Sequence, residues 1–460
     1  MPRRPKEPRA SKPSLSLPVQ LRHVNLHAAG IDIGATAHFV AVPPDADPQP
    51  VRQVGTFTAD LHRIADWLAA CGVETVVMES TGVYWIPLFE LLEERGFHVL
   101  LVNAHHVKNV SGRKSDVLDC QWLQQLHTFG LLSGAFRPAD EIVVLRSYLR
   151  QRTALVQGAA MHVQHMQKAL QQMNVLLHQV VSDITGVTGM AIIRALLAGE
   201  RDPKVLAQSR DKRCKNSAEV IAQSLVGNYR EEHLFALQQA VTLYEVYQAQ
   251  IAACDEQIEQ YLARCTPATS EPPPTAGKPR SRAGNPFHFD AHAQLYRLTG
   301  VDLTRIDGID SVSALTILGE IGTDMSRWRT VKHFTSWLGL CPGTKVSGGK
   351  VLGSKSKPSA NRAASALRLA AASLSRSRSA LGAYLRRMSA RLGKPQAITA
   401  TAHKLARLVY SMLKHGTEYV DVGQDYYERQ HRERVVHSLT RRAKELGFVL
   451  LPAPPQEAVT

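Results

Sequence analysis

Ala28-Ala29-Gly30-Ile31-Asp32-Ile33-Gly34-Ala35-Thr36-Ala37-His38-Phe39-Val40-Ala41-Val42 is the stretch on which the fold turns. Its apolar and β-branched residues predict a buried strand that turns at Gly34 and returns as a second strand, closed by Pro43 and Pro44. Asp32 falls inside the apolar run. A carboxylate placed there loses water and must be offset by a metal, a cation or hydrogen-bond donors. An Asp that only serves the neighbouring turn is the plainer alternative.

Leu61, Ile64, Ala65 and Leu68 have helical spacing, and Gly72 closes that helix. A short buried strand is predicted over 74–80, a helix over 83–94 ending at Gly96, and another strand over 97–103. Strands alternating with helices at this spacing define an α/β layer with part of its sheet parallel. Functional groups in such sheets lie at the carboxyl ends of strands, where Glu79 falls. Gly112, Arg113 and Lys114 then read as a basic loop, and Ser115 or Asp116 caps a helix running toward Phe129. Asp116 and Asp119, three apart, share one helical face; their mutual repulsion calls for a cation, unless they simply favour a solvated helix start.

The 460 residues exceed what one core supports, so more than one domain is expected. The net charge of +15 points to a polyanion, with nucleic acid ahead of an anionic membrane surface. From Met325 to Thr417 there are 18 Lys/Arg and no Asp or Glu, so this segment alone exceeds the net charge of the chain. Six scattered cysteines without a CxxC pair argue against a zinc ribbon or a disulfide framework and fit a reducing cytoplasm. No apolar run is long enough to span a membrane.

The pieces 142–176 and 231–265 read as long helices of an extended pair or coiled coil, with Gly186, Gly189 and Asp202-Pro203 interrupting between them. His162, His165 and His178 read as packed or solvated, not as metal ligands. Residues 266–286, rich in Pro, Gly and Ser, read as a linker. Beyond it, residues 306–322 read as a glycine turn feeding a helix, similar to a helix-hairpin-helix element that can hold a phosphate, or as a plain turn. Residues 341–357 read as a Gly/Ser/Lys loop, in which Lys345, Lys350, Lys355 and Lys357, with Arg362 beyond, neutralise phosphate. Helices are expected over 334–340, 363–379 and 397–414, and a basic-acidic helix within the tail.

Asp32, Glu79, Asp116 and Asp119, in the order D, E, D, D, resemble the acid set of the RuvC-like branch of the ribonuclease H superfamily. The segments Val77-Met78-Glu79-Ser80-Thr81-Gly82, Lys114-Ser115-Asp116-Val117-Leu118-Asp119, Ile306-Asp307-Gly308-Ile309 and Trp337-Leu338-Gly339-Leu340-Cys341-Pro342-Gly343 are similar to those of the DEDD-type insertion-sequence transposases. The resemblance runs from about Val24 to His415. It implies a RuvC-like α/β domain over 24–140 and a mainly α remainder: a helical, coiled-coil region over 141–265, a linker over 266–289 and a C-terminal transposase domain over 290–420. A basic arm over 1–23 and a tail over 421–460 flank these.

By this resemblance the four acids hold Mg²⁺ or Mn²⁺, hard ions that suit carboxylate oxygens. Ser347, within Lys345-Val346-Ser347-Gly348-Gly349-Lys350, matches the serine nucleophile of the family, with Ser354 and Ser356 as rivals. The implied activity is DNA excision and insertion through a phosphoserine intermediate. The implied partners are DNA, a structured bridge RNA as guide, and further copies of the chain, from dimer to tetramer. A bacterial cytoplasm and nucleoid is the expected location. Where the family usually shows a Lys-Gly-Asn run, this chain has Lys357-Pro358-Ser359-Ala360-Asn361-Arg362. Three other readings compete: a junction-resolving nuclease using water, a non-catalytic nucleic-acid binder, and an actin-like or sugar-kinase ATPase whose first phosphate loop would be Gly30–Thr36.

Overall fold

The computed structural model describes residues 25–80, 82–103, 116–274, 285–356, 359 and 361–451, with only the backbone of Asp116. The chain divides into two compact units, Met1–Arg137 and Pro138–Thr460.

In the first unit β1 (Ala28–Ile33), β2 (Ala37–Ala41), β3 (Val51–Gly55), β4 (Thr75–Glu79) and β5 (His98–Val102) form a sheet of order β3-β2-β1-β4-β5. The first three are an antiparallel meander, and β4 and β5 join parallel to β1. This is the ribonuclease H-like order that the family resemblance implied. The helices are α1 (Thr58–Ala70), α2 (Ile86–Glu94) and α3 (Asp116–Thr128). Alternation along the strands divides the sheet into two faces. Ala29, Ile31, Ile33, Val76 and Met78 pack with Leu61, Ile64 and Leu68 of α1 and Leu88, Phe89 and Leu92 of α2. Val77 and Val102 face the other way, onto Leu123 of α3.

The second unit opens with α4 (Asp140–Gln172), followed by α5 (Leu177–Val180), α6 (Val187–Leu197), α7 (Pro203–Ala207), α8 (Ala218–Ser224) and α9 (Glu231–Arg264). Helix α4 buries Ile142, Leu145, Leu149, Arg152, Ala159, Met166 and Leu170, the three-and-four stepping of a coiled-coil seam, and packs along α9. With 33 residues it runs for about 50 Å. Arg152 interrupts the apolar seam and is answered by Asp255 of α9, 2.5 Å away and 1 % exposed on its side chain. The same guanidinium donates to the carbonyls of Asn285 and Pro286, and the Asp255 carboxylate also meets His288 Nδ1 at 2.7 Å, so this buried pair anchors the chain where it re-enters after residue 284. The short helices α5 to α8 share a core with one end of the pair, built on Met166, Leu170, Ile193, Leu196 and Leu237.

The remainder is α10 (Ala291–Thr299), α11 (Ser311–Ile321), α12 (Val331–Trp337), a hairpin of β6 (Lys345–Ser347) and β7 (Lys350–Gly353), then α13 (Arg362–Ser373), α14 (Ala380–Leu392), α15 (Lys394–His415) and α16 (Gly423–Glu445). The glycine turn before α11 forms as expected: Gly308 adopts φ +87°, and a Cβ there would stand 2.5 Å from the Ala370 carbonyl oxygen of α13. Asp310 caps α11 by accepting from the Ser313 amide.

Three elements differ from expectation. Strand β3 was not foreseen, because Val51-Arg52-Gln53-Val54-Gly55 is a half-polar edge strand whose only sheet partner is β2. Residues 341–357 are not simply a loop: Gly348 and Gly349, at φ +54° and +76°, turn β6 back onto β7. The helix expected over 363–379 ends at Ser373, and a separate helix, α14, starts behind the Ser379 cap. No described helix is long and apolar enough to cross a membrane.

Candidate active site

Strand pairing assembles the acidic site. The parallel register of β1 with β4 sets Ile31 against Met78, and one step further brings Asp32 abreast of Glu79. Adjacent strands lie about 4.8 Å apart, and laterally paired residues share a face. Since Ile31 and Met78 face α1 and α2, Asp32 and Glu79 face α3. Glu79 is 8 % exposed, Asp32 half-buried.

Helix α3 presents Cys120, Leu123, Gln124 and His127 to the sheet at i, i+3, i+4 and i+7 spacing, all of them buried. Its close approach depends on Gly30. A Cβ at that position would lie 2.4 Å from both the Cys120 carbonyl oxygen and the Gln124 amide nitrogen, so only glycine admits the helix backbone there. Asp119, half-buried, precedes Cys120 on this helix. Burial and then the charge of Asp32, with a smaller contribution from Asp119 beside it in the chain, push the Cys120 thiol pKa up to about 12, so the start of α3 lies near Asp32. The Asp116 backbone opens the helix one turn before Cys120, while its side chain lies outside the described residues.

In its last turn, α3 is pinned by His127. The Thr75 hydroxyl lies 2.8 Å from its Nε2, and Asn25 Nδ2 donates to its carbonyl at 2.8 Å. Burial, with a smaller contribution from His98, lowers the imidazole pKa to about 4, so this helix is held by a neutral ring. Neither Gly30 nor His127 was singled out from the sequence. A glycine inside a β-branched run was the available signal for the first.

Among the described residues no group of three or more His, Cys, Asp or Glu is placed to hold a metal ion. In chemistry Asp32, Glu79 and Asp119 suit such an ion, because all three offer hard carboxylate oxygens, two of them side by side on one face of the sheet.

Ser347 belongs to the second unit. It ends β6, faces Lys350 across the ladder, and is exposed together with every residue of both strands. Ser354 lies just beyond β7, and Ser356 is bridged to Pro342 at the base of the hairpin, so Ser347 of the three sits nearest the tip. Lys345, Lys350 and Lys355 are exposed along the same hairpin, and Arg362 is exposed at the start of α13, where Asn361 accepts from the Ala364 amide. Arg113, Lys114 and Lys357 lie outside the described residues.

Against known families, residues 29–175 match a model for a DEDD-type transposase domain, and residues 300–386 match one described as transposase of the IS116/IS110/IS902 family. Together they take in slightly more than half of the chain, with the four acids in the first and Ser347 in the second. No curated protein matches it significantly.

Proposed function

The chain belongs to the IS116/IS110/IS902 family of transposases, enzymes of DNA strand transfer, and from that premise we propose that Asp32, Glu79, Asp116 and Asp119 bind divalent metal while Ser347 is the nucleophile. The observation that supports this reading is the placement of Asp32 and Glu79 side by side on one face of the sheet, the face that Gly30 opens to the helix carrying Asp116 and Asp119. Bound Mg²⁺ or Mn²⁺ would supply charge stabilisation at a scissile phosphate.

The chain's own residues do the rest. Ser347 Oγ attacks the DNA phosphorus: the Oγ–P bond forms, the P–O bond to one deoxyribose breaks, and the departing oxygen takes a proton to become a free hydroxyl. Attack by an incoming hydroxyl on the phosphoserine reverses these changes and frees the serine, so the bond energy is kept for rejoining. Lys345 and Lys350 flank the serine on an exposed hairpin and hold the strand by its phosphates, which positions DNA without reading its sequence. Sequence choice then falls to a structured guide RNA, and the assembly contains two to four copies of the chain.

The test incubates full-length protein with element-end DNA and RNA from the flanking non-coding region, in Mg²⁺, followed by denaturing electrophoresis. A covalent protein–DNA adduct is expected for the native protein and for Ser354→Ala and Ser356→Ala, and none for Ser347→Ala or Asp32→Asn. An adduct that survives Ser347→Ala overturns the serine assignment; strand breakage without any adduct favours hydrolysis by water.

A further inference from the structure

Helices α14, α15 and α16 carry a basic cluster beyond the hairpin, and most of it lies outside both family matches. Tyr384 of α14 and Tyr427 of α16 meet edge to face, with ring centroids 6.3 Å apart. Two cations share this pair of rings. Lys404 Nζ of α15 lies 4.7 Å from the Tyr384 centroid and 5.5 Å from that of Tyr427, and the Arg387 guanidinium lies 5.9 Å and 4.9 Å from the same two.

More positive charge bears on this point. Burial and then Arg387, Arg407 and Arg434 lower the pKa of Lys404; burial with Arg387 and Arg434 lowers that of His431, and burial with Arg407 that of His403. No carboxylate enters any of these balances. On α16, Asp425, Glu428 and Glu433 are exposed, and the last two accept hydrogen bonds from Gln424 and Gln430. The Tyr427 hydroxyl oxygen is buried and has no hydrogen-bond partner among the described residues.

Such an arrangement is costly as it stands. Each cation–π contact returns little, while partly desolvated like charges repel. An anion with several acceptor oxygens would offset both costs and give the Tyr427 hydroxyl an acceptor. We propose that Arg387, Lys404, Arg407 and Arg434, with the Tyr427 hydroxyl, form a phosphodiester site that grips nucleic-acid backbone away from the strand-exchange residues. The tyrosine faces are already taken by cations, so the site grips phosphate without stacking bases, and its binding is independent of sequence. The inference rests on the chain handling DNA as a transposase, and not on the metal or serine assignments.

The experiment uses full-length protein carrying Ser347→Ala, in chelator, so that the result is separate from strand exchange. Binding of a short duplex DNA and of a hairpin RNA, both of unrelated sequence, is followed by fluorescence anisotropy across a KCl titration. Adding Lys404→Met or Arg434→Gln is expected to weaken binding several-fold and to lower the slope of log affinity against log salt by about 1. A loss confined to the duplex identifies DNA as the occupant, and one confined to the hairpin identifies RNA. Lys404→Met is also expected to keep or raise Tm, because it removes repulsion and keeps the packing volume; a merely structural lysine would lower it. Unchanged affinity and slope on both probes overturn the proposal, as does a lower Tm with an unchanged slope.

Discussion

The end of the sheet that carries the acids and the hairpin that carries Ser347 are built on opposite principles. The first is overdetermined: Asp32 and Glu79 are held by a parallel register, Asp119 by a helix laid against Gly30, and the surrounding side chains are buried on both faces. The second is a two-stranded hairpin with every residue exposed, including Val346, Val351 and Leu352 at 60 %, 65 % and 70 %. A lone hairpin is marginal in water. The contrast teaches that a set of carboxylates needs rigid mutual placement, whereas a single hydroxyl on a proposed DNA-gripping element can be ordered by the strand it engages.

The contrast is tested most severely at its glycines. Gly30→Val forces a side chain into the Cys120 and Gln124 backbone, so α3 must move or the first unit must unfold. Several kcal/mol of stability should be lost, at or beyond the upper end of ordinary overpacking. Gly353→Ala is the matching change on the hairpin, where an added Cβ meets nothing within 4 Å; its stability should stay within about 0.5 kcal/mol of native. Equal losses at the two positions, read by thermal unfolding of the full chain, would erase the distinction.

Acid sharpens it next. His127 has its folded pKa lowered to about 4 from 6.5, so above pH 6.5 neither state carries the proton and its contribution is constant. As pH falls toward 4 the unfolded chain takes up a proton that the folded chain refuses, and up to about 3 kcal/mol is withdrawn from the first unit. His127→Gln should flatten that slope in urea unfolding followed at pH 7 and pH 4.5. The hairpin strands contain no His, Asp or Glu, so no such slope is expected there.

The smallest effect belongs to the turn. Gly349→Ala strains a residue at φ +76° by about 1–2 kcal/mol, a cost that should open the hairpin without lowering the global Tm. Amide hydrogen exchange would show faster exchange confined to residues 345–353. A lower global Tm or faster exchange beyond the hairpin would mean that it is built into the core after all.

Much of the first unit was legible in the sequence because its signals are local. The alternation of Ile31, Ile33 and Val40 against Asp32, and the spacing of Leu61, Ile64 and Leu68, require burial of one face and so fix strand and helix. Strand β3 and helix α14 were less legible: the first is half polar and paired on one side only, and the second hides its Leu381, Leu385 and Met388 stripe among arginines. The two long helices were plain from their length and period, but the Arg152–Asp255 pair inside their seam joins residues 103 apart, which no local pattern reports.

The sequence by itself determined the opening hairpin and the alternating strands and helices after it, the long helical pair, and which acids, lysines and serine were available, because hydrophobic period and residue chemistry are properties of short stretches. Only the tertiary structure decided that Asp32 and Glu79 share one face, that Gly30 is a seat for α3, and that Lys404 and Arg387 crowd the same pair of tyrosines. Those facts depend on strand register and on how closely helix backbones approach. Contacts among residues far apart in the chain set both.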